Sequence, residues 1–307
     1  MEGFAHCAEQ NTFLVGYDGS YPSKMALEEV MIKVVPKTKH KVVLCHVYDP
    51  DKDYLPAALQ PEAMRKEMEV KLTSYLPHQR FSLVWERKLT DRNTKESFVH
   101  TANTVKPDFV VVGFAGRKHE GGKETILGSA ADFSIRRANA SVIIVKKNKS
   151  EGWAPSDGKT MSFLVCVDAS KASVKALQAA MTLSRSKDDK IVIVHLAALD
   201  QESLHQDCRK EAVEKKYQAI MVAHMSDMPN VELKIMENTP DMSLSRHIVD
   251  LIEQDGSFDF VCVGADQMKS RLSDKSLDNE DTWHVGSVSD HVIKHSPCTV
   301  VVARNLG

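Results

Sequence analysis

The stretch VGFAGRKHEGGKETILGS, residues 112–129, holds five of the fourteen glycines in the chain. It ends in Gly128-Ser129, and the residues that follow have helical spacing. Glycine lets a backbone approach a ligand closely, and the start of a helix presents unpaired N–H groups that attract anions. The chemistry that these residues favour is phosphate binding, and the alternative is a solvated surface loop.

The stretch differs from the phosphate-binding loop of P-loop nucleotidases, G-x4-G-K-[ST]. Five residues separate Gly116 from Gly122, and Glu124 stands where a Mg²⁺-binding hydroxyl belongs. The stretch also follows the fourth apolar run rather than the first. We therefore reject a P-loop. Arg117, Lys118 and Lys123 either fold over a phosphate or face solvent.

Two aspartates and two histidines recur at matching places in the chain. Asp18 and Asp168 each follow an apolar run and precede a helical pattern, so each can contact a ligand, cap the helix or do both, and we favour the ligand contact. His46 and His195 lie inside apolar runs. A buried, hydrogen-bonded strand histidine is a better interpretation than a catalytic one, and we predict no catalytic residue.

A metal site is the remaining candidate. His291 and His295 are four positions apart near Cys298, which is compatible with metal ligation. No H-E-x-x-H pattern and no further ligand cluster accompanies them, so we predict no metal site.

The chain contains one pattern twice, which is the first sign of its organisation. LVGYDGSYPSKMALEEVM at 14–31 matches LVCVDASKASVKALQAAM at 164–181, and DFVVVG at 108–113 matches DFVCVG at 259–264. Asp18 precedes Gly113 by 95 positions and Asp168 precedes Gly264 by 96. A nearly constant offset over segments in the same order indicates a duplicated domain.

Within each copy, short β-branched runs alternate with stretches of helical spacing. In the first copy the runs are 13–17, 41–47, 81–89, 108–113 and 141–146. Nearly continuous apolar runs such as VVVG are typical of parallel strands buried on both faces. We predict an α/β fold of two tandem five-stranded, mostly parallel open sheets, Rossmann-like, with domains at 1–150 and 160–307 and a polar linker between them.

Composition narrows the class of protein. Apolar residues make up 42% and charged residues 27% of the chain, and no apolar run is long enough for a membrane span. The N-terminus lacks a secretory pattern, and Cys45, Cys166 and Cys262 lie in strand-like runs as packed thiols, so we expect a cytoplasmic protein. Residues 1–150 carry a net charge of +5 and the remainder −7, which weakly favours a polyanion in the first copy.

These motifs together resemble the universal stress protein family in tandem two-domain form. The family pattern is G-x2-G-x9-G-[ST] after the fourth strand, and here eleven residues separate Gly116 from Gly128. The resemblance implies an adenine-nucleotide α-hydrolase-like fold and ATP as ligand, with the need for Mg²⁺ left open. The resemblance also implies that the adenosine part of the ligand lies against the turn of Tyr17 and Asp18, with its adenine ring at Val47. The phosphates would lie at the glycines and the helix start, namely Gly113, Gly116, Gly128, Ser129 and Ala130.

The second copy departs from this pattern. Asp168, Leu196, Gly264, Gly286, Ser287 and Val288 occupy the matching positions, but Gln267 replaces the second glycine. The segment between Gly264 and Gly286 is longer, with four acidic and three basic residues in 268–285. We expect a weaker or altered second site.

Three classes of function remain open. The first is an ATP-binding stress-response regulator that acts through nucleotide-dependent conformation or partner binding. The second is a slow ATPase or adenylyl-transferring enzyme, for which no general base is evident. The third is an interaction scaffold without nucleotide, and a phosphoaccepting receiver domain is weaker still.

The partners that we expect are adenine nucleotide and unidentified proteins, with neither nucleic acid nor membrane. In the family the last strands pair across a two-fold axis. The resemblance therefore implies an intramolecular pseudo-dimer through SVIIVK and TVVVAR, and a homodimer is possible.

Overall fold

A computed structural model describes residues 10–34, 39–115, 126–146, 160–267 and 283–304. This part of the chain divides into two compact units, residues 10–146 and residues 160–304. The interpretation of 147–160 as a linker falls almost wholly outside the described residues. Among the helices that the structure describes, none is long and apolar enough to cross a membrane.

The first unit alternates five strands with four helices. In chain order they are β1 (Thr12–Gly16), α1 (Tyr21–Glu29), β2 (Lys41–Tyr48), α2 (Pro61–Tyr75), β3 (Phe81–Arg87), α3 (Thr94–Val105), β4 (Phe109–Gly113), α4 (Ser129–Arg137) and β5 (Ser141–Val145). A single π-helical turn, Val30–Val34, extends α1.

The second unit repeats this order. Its elements are β6 (Ser162–Cys166), α5 (Lys171–Leu183), β7 (Lys190–Ala197), α6 (Lys210–His224), β8 (Val231–Glu237), α7 (Leu244–Asp255), β9 (Phe260–Gln267), β10 (Trp283–His284), α8 (Ser287–His295) and β11 (Thr299–Arg304). The sequence did not predict β10, a two-residue strand antiparallel to β9.

Both units contain an open parallel sheet of the same topology. In the first unit the strand order is β3-β2-β1-β4-β5, and in the second it is β8-β7-β6-β9-β11. The chain proceeds outward from β1 to β3 and then crosses back to β4, so the strand order reverses between β1 and β4. The predicted α/β fold with mostly parallel open sheets is confirmed, and crevices are expected at these reversals.

The central strands are buried on both faces, as their apolar runs require. At the start of β1 and β4 the rings of Phe13 and Phe109 stack with centroids 4.9 Å apart. Phe163 and Phe260 repeat the contact in the second unit at 5.2 Å. Burying such a side chain stabilises a fold by about 1.5–3 kcal/mol, so equivalent ring pairs anchor the two central strands in each unit.

Polar groups fix the two ends of the central strands. At the amino end, the Asp108 carboxylate accepts a hydrogen bond from the Thr12 amide at 2.7 Å. At the carboxyl end, Nδ1 of the buried His46 bonds to the Tyr17 carbonyl at 2.7 Å, and His195 bonds to the Val167 carbonyl at 2.9 Å. Because a carbonyl only accepts, Nδ1 carries the proton in both rings. The interpretation of these histidines as buried, hydrogen-bonded strand residues is confirmed.

Gly113, at the end of β4, is required by packing against α1. A Cβ built on this residue would lie 2.6 Å from the carbonyl oxygen of Pro22, near the start of that helix. In the second unit, a Cβ on Gly264 would lie 2.6 Å from the carbonyl oxygen of Ala172. The neighbouring backbone is rigid, so no side chain fits at either position.

We expect Gly113→Ala to lower the free energy of unfolding by about 2 kcal/mol, because the added methyl group overpacks the contact with Pro22. Urea denaturation followed by circular dichroism measures the change. Gly286→Ala is the control, since no atom lies within 4 Å of its Cβ position, and its cost should stay below about 1 kcal/mol. Wild-type stability of Gly113→Ala would contradict the packing argument.

Candidate functional site

A cavity of about 450 Å³ opens in the first unit where the strand order reverses. Its walls come from the carboxyl ends of β1, β2 and β4 and from the starts of α3 and α4. Seven of the eight residues predicted for the first site line it: Tyr17, Asp18, Val47, Gly113, Gly128, Ser129 and Ala130. The eighth, Gly116, lies outside the described residues, as do Arg117, Lys118 and Lys123.

Asp18 holds the turn between β1 and α1. Its Oδ1 accepts hydrogen bonds from the amide of Ser20 at 3.0 Å and from the Ser20 hydroxyl at 2.5 Å. Ser20, not Asp18, is the N-cap of α1, and its hydroxyl accepts from the Ser23 amide at 3.4 Å. The alternative that Asp18 caps this helix is therefore wrong, because Asp18 lies two residues too early. Its carboxylate instead contributes negative charge to the cavity wall.

Gly128 and Ser129 form the start of α4 on the opposite wall. The Gly128 amide donates to the Phe114 carbonyl at 2.8 Å, which brings the two ends of the intervening segment together. Gly128 is the N-cap, and among the described residues no side chain caps the helix. A Cβ on Gly128 would lie 3.2 Å from the Ala115 Cα and from the Phe114 carbonyl oxygen. Within the described part of the chain, the first amides of α4 are thus left to an external acceptor, which fits a phosphate group.

The sequence analysis missed the third wall of the cavity. Lys52, which follows β2, and Asn93, Thr94 and Lys95, which begin α3, line the same space. Asn93 and Glu96 form a reciprocal capping box at 3.1 and 3.0 Å. The signal was present, because N-x-x-E after the third strand predicts a helix start at the same sheet edge as Asp18.

The apolar part of the cavity wall stays uncharged. Burial, together with the charges of Glu67, Asp18 and Glu28, raises the pKa of Tyr17 far above its usual value. Burial and the charge of Glu86 raise the pKa of Cys45 to about 12. Both groups are therefore neutral near pH 7, so Cys45 provides no thiolate nucleophile. With Phe98 and Val112, they offer a surface for a flat apolar ring.

The corresponding cavity of the second unit has a volume of about 160 Å³. Asp168, Leu196, Gly264 and Val288 line it as predicted, whereas Gly286 and Ser287 do not. The side chain of Gln267 lies outside the description.

The residues around Asp168 differ from those around Asp18 in the first unit. Lys216 stands where the first unit has Glu67, and its ammonium donates to the carbonyls of Ala169 at 3.0 Å and Ser170 at 3.2 Å. The hydroxyl of Tyr217, where the first unit has Met68, hydrogen-bonds to Ser173 at 2.8 Å. Side chains of α6 therefore form hydrogen bonds with the turn that contains Asp168 and with Ser173 in the helix that follows it.

Other side chains narrow the second cavity further. The Ser289 hydroxyl donates to the Gly264 carbonyl at 3.2 Å, where the first unit has Ala131. Leu244 takes the place of Thr94, and no lysine is among the described residues of this wall. The second cavity is therefore smaller than the first, and its described wall carries no lysine.

The two histidines considered for a metal site lie on α8. Their rings stack with centroids 4.0 Å apart, and Nδ1 of His295 donates to the carbonyl of His291 at 2.9 Å. Burial, with smaller effects from His295 and Arg246, lowers the pKa of His291. In the described ranges, no cluster of three histidine, cysteine or carboxylate side chains is arranged to hold a metal ion.

Comparison with known proteins identifies the family. The sequence model of the universal stress protein family matches the chain twice, over residues 10–146 and 160–304. The chain therefore belongs to the universal stress protein family. No curated protein sequence matches the chain.

Solved structures share the fold at low identity. A universal stress protein from Archaeoglobus fulgidus is 18% identical, with a TM-score of 0.59 over 96% of this chain and 99% of that one. A protein of unknown function from Pseudomonas aeruginosa is 12% identical, with a TM-score of 0.57 over 96% of this chain and 92% of that one. Both matches extend over both units.

The environment of Asp168 predicts how stability depends on pH. Burial would raise the pKa of its carboxyl, but hydrogen bonds from Ser170 and Ser173 and the charge of Lys216 outweigh burial and hold that pKa below its usual range. A depressed pKa in the folded state stabilises the fold above the unfolded value, about 3.9, and this contribution is lost as the pH falls through the folded value.

We expect Asp168→Asn to lower the free energy of unfolding at pH 7, with the gap to wild type closing as the pH falls below about 4. Urea denaturation between pH 7 and pH values below about 4 measures this difference in the free energy of unfolding. Asp241→Asn, an exposed carboxylate in the same unit, is the control and should show a smaller gap at pH 7. An Asp168→Asn gap that does not change with pH would show that the charge does not stabilise the turn.

Proposed function

We propose that the protein binds ATP in the first cavity and acts in the stress response through nucleotide-dependent conformation or partner binding. The observation that carries the proposal is the cavity of about 450 Å³, which combines an apolar wall, a carboxylate and an uncapped helix start. Ligand pockets of soluble proteins have volumes of about 300–1,000 Å³ and combine these kinds of group. Membership of the universal stress protein family supports the same proposal.

Each wall suits one part of the nucleotide. In our proposal the adenine ring lies against Val47 and the apolar residues beside it, and the ribose hydroxyls donate to the Asp18 carboxylate. The phosphates take the first amides of α4 and the hydroxyl of Ser129. The phosphates of ATP supply the negative charge that the start of this helix favours.

The cavity favours binding over turnover. Of the described residues that line it, Asp18 is the one carboxylate, and in our proposal it accepts from Ser20 and the ribose, on the wall opposite the phosphates. Histidine is absent from this described wall. A general base needs a free acceptor within reach of the attacking group. We therefore propose a regulatory binding protein rather than a hydrolase.

The second unit contributes a weaker site or none. Its cavity is about a third of the volume of the first, and Lys216 and Ser289 bind backbone groups on its walls. We propose one nucleotide for each chain.

We expect Asp18→Asn to weaken ATP binding at least tenfold. Asparagine keeps an oxygen for Ser20 but removes the charge and one acceptor for the ribose, and a hydrogen bond to a charged group contributes about 1.5–3 kcal/mol. Isothermal titration of nucleotide-free protein measures affinity and stoichiometry together, and native mass spectrometry checks the expected ratio of one.

Asp241→Asn is the matched control, because it removes the same charge from a surface far along the chain. Its ATP affinity should equal that of the wild type. Wild-type protein that does not bind ATP at millimolar concentration would refute the proposal. Equal affinity of wild type and Asp18→Asn would remove the role of this carboxylate.

A further inference from the structure

Two lysines give the first cavity a positive charge that the family pattern does not include. Lys52 follows β2 and Lys95 is the second residue of α3, and both line the cavity. Within the described ranges neither ammonium forms an ion pair or a hydrogen bond, although Lys95 contacts the Phe133 ring at 5.3 Å. Both ammonium groups can therefore bind an acceptor in the cavity.

The carboxylates next to these lysines are engaged elsewhere. Glu96 accepts from the Asn93 amide, and Asp132 pairs with Arg136 at 3.1 Å. Asp49, three residues before Lys52, pairs with Lys88 at 3.1 Å. These acids therefore have other principal partners, although the charge of Lys52 also helps to lower the pKa of Asp49.

The position of Lys95 is unfavourable for its own helix. A positive charge in the first turn opposes the helix dipole, which favours acidic residues there. The contact with Phe133, in the second turn of α4, places the ammonium beside that helix. Lys95 and the uncapped amides of α4 thus attract anions to the same side of the cavity.

The second unit is an internal comparison, because it keeps the fold and lacks both charges. Gln201 occupies the position of Lys52, and its side-chain oxygen accepts from the Lys210 amide at 2.9 Å. Ser245 occupies the position of Lys95. Neither residue lines the second cavity. The fold itself therefore does not require a lysine at these positions.

We propose that Lys52 and Lys95 bind the outer phosphates of the nucleotide and make the first cavity selective for nucleoside triphosphates over monophosphates and nucleosides. This inference rests on the proposed nucleotide function of the same cavity. The adenosine part is held by Asp18 and Val47, so the lysines contribute affinity only when the ligand carries several phosphates.

The test is isothermal titration of the full chain with ATP, AMP and adenosine. The proteins are the wild type, Lys52→Gln, Lys95→Gln and the double variant. We expect each single change to weaken ATP binding about tenfold, as for the loss of one hydrogen bond to a charged group, and the double change to weaken it about a hundredfold. Adenosine affinity should stay within about twofold of the wild type.

Lys66→Gln, on the exposed face of α2, is the matched control and should leave all three affinities unchanged. Circular dichroism confirms that each variant is folded. Raising the salt concentration should weaken ATP binding more in the wild type than in the double variant, because screening acts on the lysine charges.

The outcomes separate this inference from the proposed function. If ATP and adenosine bind the wild type and the double variant with the same affinities, the selectivity of the lysines is refuted and the nucleotide site stands. The same holds if the double change weakens adenosine and ATP equally. If the wild type binds none of the three ligands, both proposals fail.

Discussion

The close approach of β4 to α1 is the constraint on which the site depends. Gly113 lies so near the Pro22 carbonyl that a methyl group would come within 2.6 Å of it, and Gly264 meets Ala172 in the same way. This contact holds the start of the helix against the end of the strand, so that the turn of Asp18 and the segment after β4 share one crevice. The two glycines preserve the crevice by packing, whatever they also contribute to a ligand.

Duplication separates what the fold needs from what a ligand needs. Both units keep the stacked phenylalanines, the histidine bonded to the strand end and the glycine at the helix contact. They differ at some positions that line the first cavity, where Lys52 and Lys95 correspond to Gln201 and Ser245. Shared residues thus support the sheet, and in our proposal the differing residues determine which ligand binds.

The sequence predicted the sheet and several of the residues that line the first cavity because both depend on regular patterns. The apolar runs, which occur in the same order in both copies, predict the strands. The strand order then places Asp18 and Gly128 at the same edge of the sheet. Lys52 and Lys95 were not predicted as cavity residues. In the sequence they cannot be distinguished from solvent-exposed lysines, because only the folded structure shows that they line the cavity. The N-cap role went to Ser20 rather than Asp18 because the exact first residue of a helix depends on local geometry. The backbone contacts of Lys216 and Ser289 near the second cavity were also not predicted, because sequence spacing does not reveal side-chain contacts.

In both units, backbone hydrogen bonds join the two ends of the segment that follows the fourth parallel strand. The Gly128 amide closes that base in the first unit, and the antiparallel pairing of Trp283 with Gln267 does so in the second. Gly113 and Gly128 are 15 positions apart, while Gly264 and Gly286 are 22 apart. Lengthening a closed loop by this amount costs less than about 0.6 kcal/mol in chain entropy. Insertions and deletions at this place are therefore nearly neutral for folding, so the length of this segment can change in evolution while the sheet is retained.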